Sequence, residues 1–178
     1  MRILLDMDEV IEHLVATLLE KYNELHHTNY ELDDVQYWEV PRWEPELWSV
    51  IQDTDVILDL PVKNNSIHYI QKWIEEGHEV FIVTNTIDPR SQELKKQWML
   101  KHIYYFDLDR FIFTKYKHIV RGDIFVDDNI RNVRKWQEEN PDGQAFLMTA
   151  QHNKDRDFNG FRITSLKDVD DFIYNRWK

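Results

Sequence analysis

The sequence contains no cysteine, which excludes a disulfide framework, a thiolate metal site and a thiol nucleophile together. Any nucleophile or metal ligand must therefore carry oxygen or nitrogen. Only four glycines occur, Gly77, Gly122, Gly143 and Gly160, each isolated, so no GxGxxG or GxxxxGK loop can be drawn. Nucleotide chemistry stays open, because a metal with a few placed donors can hold a phosphate instead. Basic residues are comparatively few: 22 Lys and Arg against 33 Asp and Glu leave a net charge of -11. A surface of that sign repels phosphate backbones and anionic lipids, so neither duplex nucleic acid nor a membrane is expected as a partner. No apolar run approaches the ~18 residues of a membrane span, and Met1-Arg2-Ile3-Leu4-Leu5-Asp6 meets an acid too soon for a secretory signal. A cytoplasmic protein is expected.

What is present is core material. Hydrophobic residues make up 42% of the 178, and aromatics 13%, enough for one packed domain. Short apolar runs alternate with amphipathic stretches, the rhythm of βα units on a parallel sheet. Strands are expected at Ile3 to Leu5, Val80 to Val83, Phe111 to Phe113, Ile124 to Val126 and Ala145 to Met148. Ile67, Ile70, Trp73 and Ile74 recur at helical spacing before Gly77, and Leu94, Trp98, Met99 and Ile103 do so after Pro89. Ser165 to Trp177 reads as a closing helix, with Ser165 as N-cap and Asp168 in the acidic capping-box position. The fold class is α/β, a three-layer Rossmann-like parallel sheet.

Residues 15–60 break that rhythm. A helical pattern from Ile11 to Tyr22 leads into a segment holding Tyr37, Trp38, Trp43 and Trp48 with Pro41 and Pro45, which reads as a small helical cap inserted in a single catalytic domain. Its tryptophans serve either as the cap's own core or as an apolar surface facing a ligand.

The chemistry concentrates at strand ends, where parallel sheets bind ligands. Strand one runs into Asp6-Met7-Asp8; a later strand, Ile124 to Val126, runs into Asp127-Asp128. Either pair alone could be a solvated turn or a helix N-terminus. Two such pairs side by side are costly unless a cation lies between them, and all-oxygen ligands suit Mg²⁺. Thr84 and Asn85 end the strand between, and Lys117 precedes the second acid pair. A cation and neutral donors facing four acids specify phosphoryl transfer.

These four elements, DMDEV at 6–10, IVTN at 82–85, Lys117, and GDIFVDD at 122–128, resemble the motifs of the haloacid dehalogenase-like phosphohydrolases. Within them the block from Thr114 to Asp128, the cap's size and place, and Leu58-Asp59-Leu60-Pro61 are similar to the 5'(3')-deoxyribonucleotidases. The resemblance implies Asp6 as the nucleophile forming an aspartyl-phosphate and Asp8 as general acid and base. It implies Mg²⁺ held by Asp6, the Asp8 carbonyl and Asp128, with Asp127 behind them or as an alternative ligand. Thr84, Asn85 and Lys117 would hold the phosphoryl oxygens, so that the substrate is a small phosphate monoester, a deoxynucleoside 5'-monophosphate. The family's Thr-Ser-Pro reads Thr84-Asn85-Thr86 here, and its base-sandwiching aromatics read Val56-Ile57. Trp38 and Trp43 are the candidates to supply the stacking surface instead. A sugar-phosphate phosphatase, a nucleic-acid 3'-phosphatase using a cluster such as Lys95, Lys96 and Lys101, and a catalytically silent binding domain are the competing readings. A homodimer is compatible with the sequence.

Overall fold

The computed structural model describes residues 1–34 and 44–176. Six parallel strands, β1 (Arg2–Leu5), β2 (Glu79–Thr84), β3 (Phe111–Phe113), β4 (Ile124–Asp127), β5 (Gln144–Met148) and β6 (Phe161–Ile163), form one sheet in the order β3-β2-β1-β4-β5-β6. β1 lies at the centre, with Ile3 opposite Val80 on one side and Ile124 on the other. Ile3, Leu4 and Leu5 are fully buried, which is why this strand reads as a continuous apolar run rather than an alternating one. The five expected strands are present. β6 was not foreseen, because Phe161-Arg162-Ile163 is too short to carry a period and is held as a strand only by pairing with β5.

Among the described residues six α-helices connect them: α1 (Leu14–His26), α2 (Glu44–Asp53), α3 (Ser66–Glu75), α4 (Pro89–His102), α5 (Ile130–Glu139) and α6 (Leu166–Arg176). Gly77, at φ +82°, supplies the left-handed residue just past α3. Asp168 accepts from the backbone N–H groups of Thr164 (2.9 Å) and Ser165 (3.2 Å), the acidic arm of the expected capping box of α6, while its own N–H bonds the Ser165 carbonyl (3.2 Å). Two apolar clusters flank the sheet. One gathers Ile3, Leu5, Trp73 and Trp98; the other sets Leu4 and Phe125 against Trp136 of α5, stacked on Phe125 at 5.2 Å. Each buried indole donates its N–H, Trp73 to Asp170, Trp98 to the Leu60 carbonyl and Trp136 to the Val120 carbonyl.

The helical pattern from Ile11 becomes a helix only at Leu14. Residues 8–13 form a loop in which Glu9 takes φ +57°, and the Glu9 carboxylate accepts from the Val15 N–H (2.8 Å), capping α1 where His13 makes no side-chain bond. Between α1 and α3 lie a 3₁₀ turn at Leu32–Asp34, α2, and a second 3₁₀ turn at Val56–Asp59. Leu47, Val50 and Ile51 of α2 join the cluster that contains Ile3 and Leu5. This inserted stretch leaves and re-enters the sheet body at a narrow neck: His13 N–H bonds the Pro61 carbonyl (3.0 Å), Lys63 N–H bonds the Ile11 carbonyl (2.8 Å), and Glu12 pairs antiparallel with Val62. Trp38 and Trp43 lie outside the described residues. No described helix is long and apolar enough to cross a membrane.

Candidate active site

The site forms where β1, β2 and β4 end together. Asp6 stays bound to the sheet through its N–H on the Val126 carbonyl (2.9 Å), which aims its carboxylate out of the strand tip beside those of Asp127 and Asp128. One oxygen from each of the three lies within 4.8 Å of the others. A cavity of about 330 Å³ opens over them, walled in part by Asp6, Asp8, Asn85, Lys95, Lys117 and Asp128. Neither acid pair is a helix cap: α1 begins six residues after Asp8, and α5 is capped by the Asn129 side chain, which accepts from the Arg131 N–H.

Lys117 is almost fully buried and ion-paired to Asp6 (2.6 Å) and Asp127 (2.8 Å). Burial alone would discharge it, but Asp127 and then Asp6 raise its pKa above the ordinary lysine value, so it stays a cation. Asp127 is fully satisfied, accepting from Lys117, from the Asn129 N–H (2.8 Å) and from the Asn132 amide (3.1 Å). It does not reach the cavity wall and serves to hold Lys117. Asp6 accepts from the Met7 N–H (2.8 Å) on its other oxygen; burial, opposed by Lys117 and reinforced by Asp127 and Asp8, pushes its pKa up to about 6. Asp128 is pushed well above the usual carboxylate range by burial, then by Asp127 and Asp6. A set of mutually repelling buried oxygens of this kind is relieved by a hard dication, and the donor chemistry fits Mg²⁺.

Thr84, the last residue of β2, is fully buried; its hydroxyl accepts from Lys95 (2.8 Å) and donates to the Asn85 carbonyl (3.2 Å). Lys95 is the residue that sequence reasoning misplaced. It is not part of a surface basic cluster with Lys96 and Lys101: it is nearly fully buried, and its ammonium donates to both Asp8 oxygens at 2.6 and 2.7 Å. Lys96 lies over the Phe113 ring and Lys101 binds the Leu58 carbonyl, so the three lysines make no common groove. Only the apolar positions of α4 around it, Leu94 and Trp98, hinted that this turn of helix faces inward.

Glu12 was missed altogether. It is fully buried against Asp8, and neither carboxyl oxygen accepts a hydrogen bond from the described residues. Burial first, and then Asp8, push its pKa well above the ordinary value; a protonated Glu12 donating to Asp8 satisfies both groups. The only sequence signal was an acid inside the apolar run Val10, Ile11, Leu14. Leu14, Ile51, Ile57 and Ile87 also line the cavity and add aliphatic surface to it.

Parallel strands in this order, with a helical insertion after the first and acids at the tips of β1 and β4, define the class: a haloacid dehalogenase-fold hydrolase of phosphoric monoesters. Among solved structures, the fold is shared with a HAD family hydrolase from Deinococcus radiodurans that holds phosphate and sodium (TM-score 0.63, 11% identity, 98% of this chain and 95% of that one). It is shared also with a D,D-heptose 1,7-bisphosphate phosphatase from B. bronchiseptica complexed with magnesium and phosphate (TM-score 0.58, 13% identity, 98% of each). The particular family is narrower. The whole chain, residues 1–178, matches the family described as 5' nucleotidase, deoxy (Pyrimidine), cytosolic type C, and the protein belongs to it. A 5'(3')-deoxyribonucleotidase of Bacillus subtilis is 25% identical over 155 residues, covering 85% of this chain and 87% of the relative.

Proposed function

We propose that the protein is a Mg²⁺-dependent phosphomonoesterase that hydrolyses deoxynucleoside 5'-monophosphates in the cytoplasm through a phosphorylated Asp6. The single observation that carries this reading is the Asp6 carboxylate facing the cavity, with a buried cation beside it and two further acids at hand. An Asp6 oxygen attacks phosphorus, the bond from phosphorus to the ester oxygen breaks, and Asp8 protonates the departing alkoxide. Asp8 then takes a proton from water as the water oxygen attacks the acyl-phosphate, releasing phosphate and restoring Asp6. Lys117 offsets the charge that accumulates on Asp6 and on the phosphoryl oxygens. Asn85 lies at the cavity wall as an amide donor to them, while Thr84 works through Lys95, fixing the ammonium that orients Asp8. Asp6 and Asp128 would hold Mg²⁺ with the Asp8 carbonyl, and Asp127 would support them from behind. When bound, the metal supplies Lewis-acid polarisation of the phosphoryl group.

The aliphatic wall of Leu14, Ile51, Ile57 and Ile87 supports a nucleoside over a polyol, because a sugar phosphate would leave its hydroxyls without partners there. Base stacking is assigned to Trp38 and Trp43 on the sequence resemblance alone. Phosphate release from nucleoside 5'- and 3'-monophosphates and sugar phosphates, with Mg²⁺ and with EDTA, tests the reading. Turnover of dUMP or dTMP that vanishes with EDTA and in Asp6→Asn is expected. Turnover of sugar phosphates alone would overturn the substrate, and activity retained by Asp6→Asn would overturn the nucleophile.

A further inference from the structure

Lys63 is a buried cation that the phosphoryl chemistry does not use. It lies on the returning limb of the neck and is 5% exposed. Its ammonium donates to the Glu9 carbonyl at 2.6 Å and to the carbonyl of Thr149, one residue past β5, at 3.2 Å, and it lies 3.7 Å from the Glu9 carboxylate. An ammonium taken out of water needs partners for its three donors, and here the partners are the loop that follows Asp8 and the tip of a neighbouring strand.

Glu9 is a residue in need of such a hold. It follows Asp8 directly and takes φ +57°, a conformation that residues other than glycine rarely adopt and that persists only where the surroundings impose it. The Lys63 ammonium on its carbonyl and carboxylate, and the Val15 N–H on its carboxylate (2.8 Å), supply that constraint. Because the peptide unit is planar, the φ of Glu9 sets the plane of the Asp8–Glu9 peptide and with it the direction of the Asp8 carbonyl. Backbone bridges tie the same loop to the neck, Asp8 to Glu12 and Glu12 to Val62, the residue before Lys63.

We propose that Lys63 is a positioning residue: by holding Glu9 in its left-handed conformation it aims the Asp8 carbonyl and so sets the affinity of the site for Mg²⁺. The inference rests on the Mg²⁺ site of the reading above, not on its substrate or its nucleophile.

The test titrates the full chain with Mg²⁺ alone, by calorimetry. Lys63→Met is expected to weaken Mg²⁺ binding about tenfold or more, as loss of a group that orients a metal ligand does. The sign separates geometry from charge, since removing a cation near a dication site would, through its field alone, tighten Mg²⁺ binding. Glycine adopts φ +57° freely, so in a Glu9→Gly chain the further change Lys63→Met is expected to move Mg²⁺ affinity by less than about twofold. Unchanged or tighter binding in Lys63→Met, an equal loss on the Glu9→Gly background, or no Mg²⁺ binding by the wild type overturns the proposal. If Lys63→Met fails to fold while Glu9→Gly/Lys63→Met folds and keeps the affinity of Glu9→Gly, Lys63 acts through Glu9 as proposed; if neither folds, Lys63 braces the core alone and the proposal falls. A wild-type chain that binds Mg²⁺ yet releases phosphate from no ester would sink the phosphomonoesterase reading and leave the affinity comparison to decide this one.

Discussion

Lys95→Met gives the sharpest perturbation, because it removes a buried cation whose contacts are fully specified. The ammonium lies 2.6 and 2.7 Å from the two Asp8 oxygens and 2.8 Å from the Thr84 hydroxyl, with side-chain exposures of 4% for Lys95 and 20% for Asp8. Removing one member of a buried pair costs about 3–5 kcal/mol, since the other charge is left without its partner. Asp8 is one-fifth exposed, and Glu12 behind it can donate a proton, so the expected loss is about 2–3 kcal/mol. For a chain of this size that corresponds to a fall in Tm of about 5–10 °C. Thermal melts of the metal-free protein near pH 7.5, followed by tryptophan fluorescence, read it directly. The double variant Asp8→Asn/Lys95→Met should recover more than about 1 kcal/mol relative to the sum of the single changes, because the uncompensated carboxylate is gone. A Tm within about 1 °C of wild type for Lys95→Met, or additivity of the two changes, would refute the assignment of Lys95 as the partner of Asp8.

Three further outcomes are expected. Asp6, at about 6, and Asp128, also raised, must lose protons to bind a dication, so Mg²⁺ affinity measured by calorimetry should fall as pH drops through about 6, with proton uptake on metal release. Glu12 holds its proton in the folded chain above the ordinary value of 4.5, so folding stability attached to it is present below that pH and is lost as pH rises. Denaturant melts of Glu12→Gln should therefore gain on wild type as pH rises above about 4.5, and a pH-independent difference would contradict the protonated assignment. Lys117→Met should lower kcat by about 10²–10³, as removal of a preorganised charge does, while KM moves little; an unchanged kcat would remove Lys117 from the reaction.

Much of the catalytic frame is legible because its signal is local. An apolar run closing on an acid identifies both a buried strand and a residue at its carboxyl end, which holds for Asp6 and for Asp127 and Asp128 alike. Lys117 is picked out by the resemblance of the block from Thr114 to Asp128 to a known family; alone it reads as a solvated lysine. Lys95 and Glu12 escape for a shared reason: their meaning depends on Asp8, and the partnership spans 87 residues of sequence in the case of Lys95. Adjacent lysines on a helix read as solvated surface until the tertiary fold buries one of them. Glu9 escapes because a glutamate at positive φ carries no pattern; its role in capping α1 exists only once the loop at 8–13 is folded. β6 is similar, a strand by virtue of its neighbour rather than its composition.

The neck at residues 11–13 and 61–63 has a consequence for how this protein diverges. The two backbone hydrogen bonds there close the inserted stretch on itself before β2 begins, so the sheet registers that hold Asp6 and Asp128 are set by strand pairing on the other side of that neck. Changes on the outward positions of that stretch are absorbed at the neck, whereas those at Leu47, Val50, Ile51 and Ile57, which share a core with Ile3 and Leu5, are not. Selection can rewrite what the enzyme accepts while leaving untouched how it breaks the bond.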